Sequence, residues 1–113
     1  MSDFKLSEVI ERSKKIREKY HELEITHHGS KWTVEEDALA FLTDAALVGR
    51  LTMSQQGRWP KGGDTQPELE HKIGECMWWL TILANRMDLD INDALKQFLT
   101  KTETLLQLTG DSH

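Results

Sequence analysis

The chain of 113 residues contains one cysteine and two prolines. A single thiol can neither close a disulfide within the chain nor build a cysteine zinc cluster, and Cys76, inside the most apolar segment, reads as small core filler. Both prolines, Pro60 and Pro67, fall within residues 54–67, so the rest of the sequence lacks the residue that breaks helices. No run approaches the roughly 18 consecutive apolar residues of a membrane span, and the opening MSDFKLSEVIERSKK has no apolar signal core. The expectation is one soluble cytoplasmic domain over residues 1–113, with no membrane partner. A basic surplus is missing too: 14 Lys and Arg against 19 Asp and Glu give a formal net charge of −5. Nucleic-acid binding, which is driven by neutralising phosphates, is disfavoured.

Apolar positions recur at helical spacing, and strand alternation is sustained nowhere, so the fold class is all-α. Four helices are expected, at about 3–23, 33–53, 66–87 and 90–108. The first presents Leu6, Ile10, Ser13, Ile16, Tyr20 and Leu23 on one side and ends before His27, His28 and Gly29, which read as a terminating loop rather than a metal site. Thr33 and Glu36 have the spacing of a capping box at the start of the second helix, and Thr65 with Glu68 repeats it at the third. Asp90 caps the fourth helix, whose face is Ile91, Ala94, Leu95, Phe98, Thr102 and Leu105, with Gly110 past its end.

The third helix is the most informative. Leu69, Ile73, Cys76, Leu80, Leu83 and Met87 repeat with gaps of four and three, a seam suited to packing along another helix. Met77, Trp78, Trp79, Ile82 and Ala84 cover much of the remaining circumference, and a helix apolar nearly all round must be covered nearly all round. Three other helices are too few to do that. The expectation is a bundle completed by self-association, as a homodimer or higher oligomer, with Met77, Trp78 and Trp79 in core and subunit interface.

Two acids stand in apolar company. Asp44 shares its face with Phe41, Leu47, Val48 and Leu51; Glu75 lies beside Trp78 and Trp79, on a side with Glu68, His71 and Lys72. If the second and third helices form an antiparallel hairpin, Asp44 and Glu75 face each other, where they pair with a cation or bind a hard divalent ion such as Mg²⁺. Glu68, His71 and Glu75, spaced by three and four, make with Asp44 an alternative ligand set. Between the helices, Arg58, Trp59 and Lys61 precede Gly62-Gly63, a cationic and flexible loop able to wrap a triphosphate while Trp59 stacks on a base.

Residues 20–106 resemble the MazG-like all-α nucleotide pyrophosphohydrolases. The resemblance rests on YHELEITHHGSKWTVEEDALAFLTDAALVGRLTM, on HKIGECMWWLTILANRMDLDINDAL, which looks like the family's E-L-x-D-x-L-W helix and following turn, and on the glycine-rich loop between them. It implies a four-helix MazG-like bundle and Mg²⁺-assisted hydrolysis of nucleoside triphosphates to monophosphate and pyrophosphate, with Mn²⁺ as substitute metal. The family's two acid pairs fall on Asp44 with Leu47 and on Lys72 with Glu75, so two of four ligand positions are not acids. Two readings stay open. In one, the chain is a nucleotide hydrolase with a modified acid set, Lys72, Arg58, Trp59 and Lys61 contacting substrate. In the other, it is an inactive nucleotide-binding or oligomeric interaction module in which the Lys72 ammonium replaces the metal.

Overall fold

A computed structural model describes residues 5–60 and 62–108, and among them the only regular elements are four helices: α1 (Leu6–His28), α2 (Val34–Gln55), α3 (Gln66–Arg86) and α4 (Ile91–Leu105). No helix of the described residues is long and apolar enough to cross a membrane. Lys61 and Gly110 lie outside the described residues.

The ends of the helices follow from local chemistry. At Thr33 the capping box closes in both directions: the hydroxyl accepts from the Glu36 amide at 3.1 Å, and the Glu36 carboxylate accepts from the Thr33 amide at 2.8 Å. Asp90 accepts from the amides of Asn92 and Asp93 at the start of α4. The second expected box does not form. Thr65 is buried and donates its hydroxyl to Gln55 at the end of α2, 2.9 Å away, so its side chain ties the two helices together instead of capping α3. Helix α1 also runs further than expected, taking His27 and His28 into its last turn. Gly29 ends it with φ of 83°, a left-handed conformation that glycine adopts without a Cβ clash, and donates its amide to the Ile25 carbonyl.

Helices α2 and α3 form an antiparallel hairpin: Gln55 meets Thr65 near the loop, Asp44 meets Lys72 midway, and Asp37 meets Arg86 at the far end. Helix α1 packs across α3, and α4 is joined chiefly to α3.

The faces turned inward are not the most apolar ones. In α2 the inward positions are Asp37, Phe41, Asp44, Val48 and Leu51, a heptad-like series that includes two buried acids. In α3 they are Lys72, Glu75, Trp79, Ile82 and Arg86, one residue, or about 100°, away from the expected seam. That seam is split, with Ile73, Leu80 and Met87 each close to half exposed and Leu69, Cys76 and Leu83 half-buried. Helix α1 shows the same rotation in its second half, where Arg17, His21 and Glu24 turn inward and Ile16, Tyr20 and Leu23 are exposed.

Among the described residues the buried large apolar side chains are Leu51, Trp79 and Ile82. A radius of gyration of 17.6 Å exceeds the roughly 13 Å of a compact chain this long. The accessible surface, 8689 Å², exceeds by a wide margin the ~6400 Å² of a compact monomer of this mass. Most of the apolar residues described are exposed on the single chain.

Candidate functional site

Two polar clusters line the inside of the hairpin. In the first, Lys72 and Glu75 stand three residues apart on one face of α3, and Asp44 projects from the middle of α2 toward both. The Lys72 ammonium donates to Asp44 Oδ1 at 3.1 Å and to Glu75 Oε1 at 3.0 Å. Asp44 is buried, and its other oxygen, Oδ2, accepts from the Trp79 indole N–H at 2.9 Å. His71, exposed, places Nε2 3.7 Å from Glu75.

An isolated carboxylate in this position would be costly; a bonded ammonium and an indole N–H offset that cost. Hydrogen bonds to Glu75 and then Asp44 raise the Lys72 pKa above its ordinary value, so the amine stays charged. The Cys76 thiol is pushed up by burial and by Asp44 and Glu75, which makes it a poor nucleophile.

The second cluster lies one turn-pair along. Asp37 is fully buried, accepting from Arg17 at 2.7 Å on Oδ1 and 3.3 Å on Oδ2, and from Arg86 at 2.8 Å on Oδ2. Arg17 also reaches Glu24, seven residues on in α1, at 2.8 Å and 3.4 Å. Glu24 accepts from the Trp32 amide and Arg86 donates to the Trp32 carbonyl, which fixes the α1–α2 turn to the end of α3. Burial opposes the charge of Arg17, but its bonds to Asp37 and Glu24 outweigh this and raise its pKa. Burial likewise opposes the charge of Glu24, yet the Arg17 bond and the Trp32 amide hold its pKa below the usual value. Trp79 joins the clusters: its N–H bonds Asp44, and the Arg17 guanidinium lies 5.7 Å from its ring centre.

Of the residues singled out by sequence, Asp44, Lys72 and Glu75 come together, with His71 at their edge. Leu47 and Lys72, the two non-acidic positions of the expected ligand set, line one cavity of about 200 Å³ with Arg50, Leu51 and Glu68. Arg50 in turn donates to the Trp59 carbonyl at 2.8 Å and lies 5.8 Å from the exposed Trp59 ring. The loop is thereby tethered to the rim of that cavity. Arg58 is exposed in the same loop; Lys61 lies outside the described residues.

The donor set does not fit a divalent ion as it stands. A cation of the chain's own already lies between the carboxylates, Leu47 offers no ligand, and among the described residues no group of three or more His, Cys, Asp or Glu side chains is placed to hold a metal.

Sequence reasoning passed over Arg17, Glu24, Asp37 and Arg86. The signal was present as a repeat of seven: Arg17 with Glu24, Asp37 with Asp44, and Trp79 with Arg86 each fall two helical turns apart on one face. No protein-family model, curated protein or solved structure matches this chain.

Proposed function

We propose that the chain is a non-catalytic, MazG-like interaction module that works as an assembly of two or more copies. The observation that carries this reading is the Lys72 ammonium, bonded at 3.1 Å and 3.0 Å to the two carboxylates that a hydrolase of this kind would give to its metal. Metal-assisted hydrolysis needs a polarising ion and an activated water, and a tethered amine supplies neither. The cation between the two carboxylates is the chain's own.

What the hairpin leaves open is apolar. On the outside of α2, Leu39, Leu42, Ala46, Gly49 and Met53 form a second heptad series, with Leu39 and Leu42 more than 60% exposed. On α3, Ile73, Met77, Leu80 and Met87 are exposed as well. The small residues Ala46 and Gly49 allow close approach of another helix, and the surface in excess of a compact monomer is of the size that obligate homodimers bury. A second copy brings an identical surface, so a two-fold arrangement is self-complementary.

Sedimentation velocity checks the assembly: a dimer or larger species is expected for the wild type, and Leu42→Glu with Leu80→Glu shifts it to monomer. A wild type that sediments as monomer overturns the reading.

The second reading is a nucleotide pyrophosphohydrolase, favoured by the convergence of Asp44 and Glu75 on one cation. It requires Lys72 to withdraw. Pyrophosphate release from canonical and oxidised nucleoside triphosphates with Mg²⁺ or Mn²⁺, abolished by Asp44→Ala and Glu75→Ala, would establish it; no turnover by clean wild-type protein favours the module.

A further inference from the structure

On the flank of α3 that faces α1, two cavities of about 280 Å³ and 340 Å³ share Tyr20, Glu75 and Trp78 in their walls and so make one groove. Trp78 and Leu80 differ by two residues, about 200° around the helix, so the groove and the exposed Leu80 lie on different sides of α3. The smaller cavity adds Trp32 and Trp79, which places three of the chain's four tryptophans and its one tyrosine around a single space.

The rings meet at steep angles rather than stacking flat. Tyr20 and Trp78 lie 5.9 Å apart at 61°, and Trp78 and Trp79 lie 4.7 Å apart at 58°. Rings at such angles wall a space on several sides, whereas a single flat stack would leave it open on all but one. The buried indole N–H of Trp78 has no hydrogen-bond partner among the described residues, so this ring is held by packing alone.

Charge decides what such a space accepts. Glu24, Glu70 and Glu75 lie in its wall together with Arg17 and His71, and Asp37 and Asp44 are bonded directly behind; against these five carboxylates stand the cations Arg17, Lys72 and Arg86. Each of the three cations is already bonded to carboxylates, in a chain whose net charge is −5. An anionic ligand such as a polyphosphate meets excess negative charge here. A cation without N–H donors meets aromatic faces and carboxylates, the combination that binds alkylated ammonium groups through the ring quadrupole.

We propose that this groove is a binding site for a small organic cation carrying a quaternary or alkylated ammonium group. The aromatic walls take the alkyl surface, Glu75 supplies the opposing charge, and Trp32, at the mouth and over one-third exposed, closes over the ligand.

The test is a titration of the ¹⁵N-labelled full chain, following indole N–H signals, with tetramethylammonium and choline against sodium at matched ionic strength. The neutral isostere 3,3-dimethylbutan-1-ol and a nucleoside serve as alternative ligands. Saturable shifts of Trp32, Trp78 and Trp79 by the two cations are expected, with Trp59 unmoved. Trp32→Ala leaves the backbone bonds of that residue in place and weakens binding roughly 3- to 30-fold, as does Glu75→Gln, while Trp59→Ala has no effect. Absence of saturable shifts with either cation overturns the proposal. So does binding of the neutral isostere or the nucleoside as tight as that of the cations.

Discussion

Arg17 donates to Asp37 at 2.7 Å, joining a helix of 23 residues to the first turn of the next through an acid with no exposed surface. Because Arg86 binds the same carboxylate from α3, three helices converge on one side chain. Removing the charge there leaves two guanidinium groups underbonded. Asp37→Asn is expected to lower stability by about 3–5 kcal/mol, the cost typical of breaking a buried ionic group. Urea denaturation followed by circular dichroism checks it, and a loss below about 1 kcal/mol would show that the cluster is wet and weak.

Lys72 gives a smaller and differently shaped effect, since Lys72 and Glu75 are partly exposed although Asp44 is buried. Lys72→Ala leaves Asp44 and Glu75 without their shared partner and is expected to cost about 1–2 kcal/mol. The folded pKa of Lys72 is raised, so its contribution is complete below the ordinary lysine value of 10.5 and disappears as pH rises through the folded value. The stability gap between wild type and Lys72→Ala therefore closes only in strongly alkaline solution. The double variant Leu47→Glu with Lys72→Glu converts the cluster to four acids and is expected to bind Mg²⁺ measurably by calorimetry, where the wild type does not.

His21 acts in the opposite direction. Burial, followed by the nearby positive charges of Arg17, Arg86 and Lys31, lowers its pKa below 6.5 despite the attraction of Glu24. The unfolded chain then binds the proton more readily than the folded one, so stability falls as pH drops from 6.5 through the folded value. Denaturation midpoints measured from pH 7.5 to 5.5 should decline in the wild type and decline less in His21→Gln. Parallel slopes for the two proteins would contradict this.

Helix α4 exposes Leu95, Phe98, Leu99 and Leu105 and buries no residue fully, yet its capping by Asp90 is complete. A 15-residue helix of this kind is marginal in water unless its apolar side is covered. In the proposed assembly Phe98→Asp should reduce the sedimentation coefficient and the helical circular dichroism together. A fall in neither would mean that α4 stands outside the contact between copies.

Much of this architecture could be read before any coordinates. The Thr33 and Glu36 box, the Asp90 cap and the proline-bearing loop located α2, α3 and α4, and the placement of Asp44 opposite Lys72 and Glu75 followed from a hairpin across that loop. The orientation of the helices did not follow. Hydrophobicity ranks Ile16 above Arg17 and Ile73 above Lys72 as inward residues, but ion pairs reverse both choices by supplying each buried charge with a partner from another helix. Periodicity sees one helix at a time, so a pairing between positions 17, 37 and 86 is invisible to it.

The distribution of charge and apolar surface across the hairpin sets how the molecule can diverge. Sliding α3 along α2 by one turn would separate Lys72 from Asp44 and Arg86 from Asp37 at once, so the ionic interior admits a single alignment of the two helices. The aliphatic exterior imposes no such rule, because one leucine or methionine substitutes for another at modest cost. Descendants of this sequence can therefore drift toward new associates through exterior changes alone, keeping the alignment of the hairpin while the set of molecules it meets is exchanged.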